Sequence, residues 1–347
     1  MRISLSRYLA AAAACLTLSA AGAFANPYVV NCDEGDLLQD ALGKAAGSAK
    51  LIEINVYGTC YEDLSFTRDD VRIYGDGNTT IVGTARFFSA KGVWFEDVNF
   101  TGPGDGLRIV DGRIRLIRSH ISGNIGDGIF VTQNGTVSLS GCFVEHNSES
   151  GIVLNNASTG IRNTQVTNNG ADGIAVANNA ALTFVGGGIN YHENGFGIRA
   201  SNSSSIDLRD THIGVSNPVG IGLSLGSTGI VNNSYANANA QFGVLLETNS
   251  ALEFIGGGIS WNGLYGAYTR SHSTLSLSGV SVDNNAAHGI VVESDSALFA
   301  GDGTRVEYNT AGDMVQIECR DKESSIQDVD GTLVVQPPLI NCPDEGF

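Results

Sequence analysis

Positive charge is what this chain has least of. Lysine and arginine number 19 against 36 aspartates and glutamates, a formal net charge of −17 over 347 residues. A field of that sign repels nucleic acid and anionic membrane surfaces. Charge of either sign is thin, at 16% of residues, yet 42% are hydrophobic and 45 are glycine. So much glycine is foreign to a helical globule, and so much apolar content is foreign to a disordered chain. Long hydrophobic runs are missing too. Past the first 25 residues none approaches the roughly 18 needed for a membrane-spanning helix.

Those first 25 residues stand apart. Arg2 and Arg7 make a positive start, Leu9 to Leu18 is a short apolar stretch, and Ala23-Phe24-Ala25 has the small-x-small form of a signal-peptidase site. The expected product is exported to periplasm or medium and begins near Asn26. Six cysteines become five once Cys15 is removed. Cys32 and Cys60 flank the start of the mature chain, and Cys319 and Cys342 flank its end. An oxidising compartment favours pairing each couple, although two bridges among five cysteines can be drawn in many ways. Cys142 is left over.

A glycine followed by an apolar residue recurs at Gly106, Gly128, Gly151, Gly173, Gly197, Gly220, Gly243, Gly266 and Gly289, in steps of 22 to 24 residues. Each unit alternates in period two, as in Val137-Ser138-Leu139, with Gly, Asn and Ser between the runs. That is strand chemistry. One unit makes one coil of a parallel β-helix, with coils stacked about 4.8 Å apart. Four residues before most of the glycines stands an asparagine: Asn124, Asn147, Asn169, Asn239, Asn262 and Asn285. Asparagine tolerates the left-handed region and its amide bonds to neighbours above and below, which suits a turn repeated in every coil. In this register Asn194 is displaced by one residue and Ser216 breaks the run. Five residues earlier again run Ser119, Cys142, Thr164, Thr211, Ser234 and Thr304. This inward column of small residues marks Cys142 as a buried structural thiol.

A longer period is superimposed. "TVSLSG" at Thr136, "SIDLRD" at Ser205 and "TLSLSG" at Thr274 are spaced 69 apart, the length of three coils of 23. "ALTFVGGGIN" at Ala181 and "ALEFIGGGIS" at Ala251 belong to the same duplication. Their glycine triplets are therefore a repeated coil feature and not a phosphate-binding loop.

This organisation resembles the right-handed parallel β-helix proteins of the pectin-lyase-like superfamily. The opening "CDEGDLLQDALGKAAG" adds to the likeness, with Leu37, Leu38, Ala41, Leu42 and Ala45 on one helical face. The resemblance implies one all-β domain over 26–347, with a capping helix at 34–47 and coils over 51–315. An irregular C-terminal cap at 316–347 would close the other end. About 12 coils would make a rod of roughly 55–60 Å. Right-handedness follows from the resemblance and from the general crossover rule.

The fold does not assign a function. The polygalacturonase-like motifs of the superfamily are reduced here to Asn163-Thr164-Gln165 and Ala287-His288-Gly289, and the Asp-Pro-His-Asp stretch of alginate epimerases is missing. Pectate-lyase-like members use a calcium cage of carboxylates and a basic arginine. The resemblance would place Ca2+ at Asp105 and Asp127, one coil apart, with Arg108 or Arg115 acting on the substrate. Against it, Asp-Gly before a strand is ordinary turn chemistry. A second feature is an outward apolar and aromatic strip, with Phe130, Phe196, Phe242, Tyr265 and Tyr268 as a candidate sugar-binding surface. The plainer alternative is that parallel sheets carry apolar residues on both faces. The expectation is an exported rod that binds polysaccharide without a recognisable catalytic motif. The alternative is a calcium-dependent lyase for an acidic polysaccharide.

Overall fold

The computed structural model describes residues 27–45, 51–193, 195–216, 218–310, 315–336 and 340–342. The expected leader at 1–25 and Asn194 lie outside these. The alternating segments form strands that pair only in parallel, each with its counterpart one coil away. Among the described residues they build a narrow sheet of 13 strands and a broad sheet of 22. In the narrow sheet Leu107, Ile129, Ile152, Ile174, Ile198 and Ile221 lie in one register and are fully buried. The apolar residue after each repeat glycine therefore forms a continuous inner column. The stack also runs further than the repeat suggests. Beyond residue 315, Ile317–Cys319, Ser325–Asp328, Val334–Gln336 and Ile340–Asn341 still pair in parallel with the coil before them. The tail expected as an irregular cap supplies two of the 13 narrow-sheet strands.

In the middle coils the broad sheet uses strands of 10 residues that bend halfway, such as Ala181–Asn190 and Ala251–Ser260. The bends lie at residues with left-handed backbone, including Asn163, Asp210 and Asn233. The two glycine triplets occupy this same corner. A Cβ at Gly187 would stand 2.1 Å from the Thr164 carbonyl oxygen, and one at Gly257 would stand 1.9 Å from that of Ser234. The repeated phrase is retained because only glycine fits a corner pressed onto the coil beneath.

The asparagine column is a buried hydrogen-bonded ladder. The Asn124 side-chain amide donates to Asn147 Oδ1 at 2.8 Å, and Asn147 to Asn169 at 2.9 Å. A second run joins Asn239, Asn262, Asn285 and Asn309 at 2.8–3.0 Å and ends on the Gln316 side chain. Except at Asn124, each amide oxygen also accepts the backbone N–H of the preceding rung, as Asn169 Oδ1 does from Asn147 at 3.1 Å. Between the two runs the ladder is broken. The coil from Gly173 to Gly197 is longer than either neighbour, and the chain places His192 in the rung. His192 is 1% exposed and Ser216, in the following rung, is also 1% exposed. Neither ring nitrogen of His192 nor Ser216 Oγ makes a hydrogen bond of normal geometry. Burial lowers the His192 pKa to about 4, against an opposing pull from the Val166 and Asn169 backbone.

Both ends are fastened. Disulfides join Cys32 to Cys60 and Cys319 to Cys342, while Cys142 is free and buried. Its thiol lies over the Leu116 and Ser140 carbonyls, and burial raises its pKa. The helix starts later than expected, and its described residues span Leu38–Ala45. It follows a 3-10 turn, Cys32–Glu34, that ends on Gly35 in the left-handed region. The Glu62 carboxylate accepts the N–H groups of Leu38 and Gln39 at 2.7 and 2.9 Å, which satisfies donors that a helix start leaves open. Leu38, Ala41 and Leu42 are buried, but Leu37 precedes the helix and stays exposed.

Removing a rung should be costly only inside the rod. Asn147→Ala is expected to destabilise the protein by about 1–3 kcal/mol, since it leaves buried partners unmet on both sides. The exposed pair of Asn178 and Asn202 makes the same amide contact at the surface, at 2.9 Å. Asn178→Ala should change stability by no more than about 0.5 kcal/mol. Urea unfolding of both variants checks the contrast.

Candidate functional site

Alternation fixes what the narrow sheet shows to solvent. The first and third residues after each repeat glycine point inward, so the second and fourth point out. On the second position stand Arg108, Phe130, Arg199, Gly222, Leu245 and Tyr268, in strand register. On the fourth position Glu247, Arg270, Glu293 and Arg320 follow one another, as their backbone bonds to Leu223, Leu246, Thr269 and Val292 place them.

The aromatic residues expected as a binding surface divide in two. Phe130 lies apart, with the Arg108 guanidinium 4.6 Å above its ring. Phe242, Tyr265 and Tyr268 form a cluster with ring centroids 5.5–5.7 Å apart, and Tyr265 also stacks on His288 at 5.7 Å. The strip is not open along its length. Val219, Leu245, Tyr268 and Val291 are buried on this outer face, with Phe196, Phe242 and Tyr265 packed against them. Apolar residues on the outside of the sheet thus make a small second core, and its half-exposed rings form the accessible surface.

Nor is this face poor in charge. Arg270 pairs with Glu247, the Tyr268 hydroxyl donates to Glu293, and Arg320 lies 3.6 Å from Glu293 and 3.0 Å from Glu318. Arg320 also donates to the Tyr265 hydroxyl at 2.7 Å. Burial, helped by Glu293, raises the Tyr268 pKa, so its hydroxyl stays a donor. The column alternates acid and base along the axis, one coil per step. Sequence reasoning missed it, although Glu247, Arg270 and Glu293 recur at the coil period, each four residues after its glycine. Next to it a cavity of about 250 Å³ is lined by Phe196, Arg199, Gly222, Ser224, Leu245 and Glu247. Gly222 makes room for it. A Cβ there would meet the Phe196 ring at 2.3 Å, so only glycine lets the ring approach the sheet this closely.

The residues expected around calcium are arranged differently. Asp105 Oδ1 accepts the Asp127 N–H at 3.1 Å, and Asp105 Oδ2 pairs with Arg108 at 3.1 Å. Asp127 Oδ1 accepts the Ser150 N–H at 3.0 Å, and Asp172 accepts the Phe196 N–H at 2.9 Å. Each carboxylate ties its coil to the next. Burial, with smaller contributions from Asp105 and Glu149, raises the Asp127 pKa to about 6. Asp172, 2% exposed, is also shifted up by burial, though Arg199 pairs with it at 2.5 Å. Arg115 is not with Arg108. It lies on the broad sheet, 4.8 Å above the Trp94 ring, with Arg72 at 5.0 Å from the same ring. A corner at Asp111, in the left-handed region, separates the two arginines.

A family model described as "Right handed beta helix region" matches residues 45–196 and again 150–311. No curated protein matches the sequence. Among solved structures the chain is similar to the A-module of a mannuronan C-5 epimerase from Azotobacter vinelandii, at 14% identity and a TM-score of 0.56 over 89% of this chain and 91% of that one. It is also similar to a point mutant of a periplasmic alginate epimerase, at 13% identity and 0.51, over 90% and 83%. A third is the catalytic domain of a GH87 α-1,3-glucanase mutant in complex with nigerose, at 13% identity and 0.58, over 89% and 70%. At such identities the likeness is one of fold.

Two buried groups should oppose each other in acid. Folded Asp127 keeps its proton up to about pH 6, from a usual value of 3.8, so its contribution to stability falls as pH rises through that window. His192, lowered from 6.5 to about 4, stays neutral when folded, and its contribution rises with pH through the same window. Asp127→Asn is therefore expected to leave stability unchanged below about pH 4 and to raise it by about 1–2 kcal/mol at pH 7, after discounting for solvent screening. It should also steepen the loss of stability from pH 6 to 4. Denaturant unfolding across this range reads both effects.

Proposed function

Because the chain belongs to the right-handed β-helix family, its function resides in the side chains on a fixed coil, and we propose that it is an exported polysaccharide-binding protein. The observation that carries the reading is the cluster of Phe242, Tyr265 and Tyr268 beside the alternating Glu247, Arg270, Glu293 and Arg320. The half-exposed rings of Phe242 and Tyr265, backed by the buried Tyr268, receive the C–H face of a sugar, while carboxylates and guanidinium groups bond its hydroxyls. The charges come in compensating pairs, and the whole chain carries −17. Both facts favour a neutral glycan over a polyuronate. The cavity beside Phe196 and Gly222 would seat a sugar unit at one end of the cluster. The named activities of the structural neighbours, on mannuronan, alginate and α-1,3-glucan, lend the fold's general support. Export is supported by the leader at 1–25 and by two disulfides.

The second reading, a calcium-dependent lyase, rests on Asp105 and Asp127 standing one coil apart. Calcium takes about 6–8 oxygens. Here Asp105 is engaged by Arg108 and a backbone N–H, and Asp127 by a second backbone N–H. This donor set does not fit the ion.

Affinity electrophoresis through gels containing α-glucan, β-glucan or mannuronan tests the binding reading. The parent should be retarded by a neutral glucan. Tyr265→Ala and Glu293→Gln should each weaken binding about tenfold or more, equivalent to about 1.4 kcal/mol. Phe143→Ala, on the broad sheet and 48% exposed, should have no effect. Calorimetry should show no calcium-dependent change in Tm. A rise abolished by Asp105→Ala with Asp127→Ala, together with unsaturated product on mannuronan, would replace this reading with the lyase.

A further inference from the structure

The turn just before the ladder forms a column of its own, on a different side of the rod from the narrow sheet. Its later members are Tyr191, Val215, Ala238, Trp261, Asn284 and Tyr308, all with left-handed backbone and φ between 52° and 60°. They stack one coil apart. The N–H groups of Val215, Ala238 and Trp261 donate at 3.0–3.2 Å to the carbonyls of Asn237, Ser260 and Asp283, each of which immediately precedes the next turn.

Occupancy of this column changes along the rod. Earlier coils fill it with Gly123, His146 and Asn168, residue types that accept positive φ more readily. Valine, tyrosine and tryptophan rarely adopt it. Tyr191 is 57% exposed, Val215 43%, Trp261 65% and Tyr308 62%. Large apolar side chains are thus held in a strained backbone and shown to solvent. Residual strain at an exposed position points to use of the side chain.

The row also has a spacing and a chemistry. Trp261 and Tyr308 are two coils apart, about 10 Å, and Tyr191 and Trp261 three coils, about 14 Å. The short residues Ala238 and Asn284 lie between the rings. None of the six column members is charged, which leaves an ionic partner nothing to pair with. Beside the column run the half-buried Asn190, Asn237 and Asp283, which offer hydrogen-bonding groups, while Ser260 and Glu307 are buried and Glu307 is paired with Arg305. An anionic lipid surface is disfavoured by the chain's net negative charge.

We propose that the column Tyr191–Trp261–Tyr308 is a second glycan-binding surface, for an extended neutral polysaccharide whose successive pyranose rings advance at nearly the coil spacing. Rings two or three coils apart then stack under every second or third sugar, and the adjoining amides and hydroxyls bond its edge. This surface is independent of the Phe242–Tyr265–Tyr268 cluster.

Adsorption to microcrystalline cellulose and to chitin tests it, together with tryptophan emission during titration with cellohexaose and chitohexaose. The chain has 2 tryptophans, and Trp94 is sandwiched between arginines, so Trp261 is the responsive one. The parent should adsorb to at least one polymer and show a saturable emission change. Trp261→Asn and Tyr308→Asn should each reduce adsorption tenfold or more. Their Tm should be unchanged or higher, because asparagine suits the backbone there. Phe88→Ala, 48% exposed on an early coil outside both surfaces, should adsorb like the parent. Failure of the parent to adsorb, or full adsorption by Trp261→Asn, overturns the proposal. A dimer in sedimentation that Trp261→Asn converts to monomer also overturns it, and assigns the row to contact between two copies of this chain.

Discussion

A coil of this rod is an open sheet edge until another coil lies on it. Every backbone N–H and C=O along the axis is paired only through its neighbour. Most other features answer to that requirement. Asparagine rungs carry the pairing into the turns, where backbone groups alone cannot continue it. Asp105, Asp127 and Asp172 do the same at the start of the narrow-sheet strands. At the first coil, which has no predecessor of its own kind, a short helix fastened by Glu62 covers the core. The final coils are strands held by the Cys319–Cys342 bridge.

What was legible in the sequence is what repeats in every coil. Glycine spacing, alternation and the asparagine column identified the coil, its inner face and its buried turn. Cys142 was readable for the same reason, because it replaces serine or threonine in an inward column. Features that depend on one coil were hidden. A single inserted residue puts His192 in the rung in place of Asn194, and no periodicity announces which residue of a longer coil slides inward. The helix begins at Leu38 and not at 34 because Gly35 and a separate 3-10 turn intervene.

The site was half legible. Phe242, Tyr265 and Tyr268 come together as the column implied, because residues one coil apart must be neighbours. Phe130 does not join them, being five coils away and covered by Arg108. Arg108 and Arg115 were grouped because both alternate outward, but outward means different directions on either side of the Asp111 corner. The acid–base column at Glu247, Arg270 and Glu293 went unseen because attention to one apolar position per coil passed over the charged one two residues later. Exposure was the least readable property. Whether an outward Leu245 or Val291 meets water depends on rings contributed by adjacent coils.

The break at His192 and Ser216 also has a mechanical meaning. In a linear array each unit is coupled only to the next, so cooperativity is limited by the weakest junction. Here side-chain ladders run from Asn124 to Asn169 and from Asn239 to Gln316, and across the gap the buried turn has no side-chain rung, so the coils are joined by backbone pairing, core packing and side-chain bonds elsewhere on the coil, such as Asp172 to Phe196 and Asn178 to Asn202. Most domains fray from their termini inward. This rod has its termini fastened by disulfides and its seam in the middle, so it behaves as two blocks in series. Under load or partial denaturation it would part between them, with the Phe242–Tyr265–Tyr268 face and Trp261 carried together on the C-terminal block.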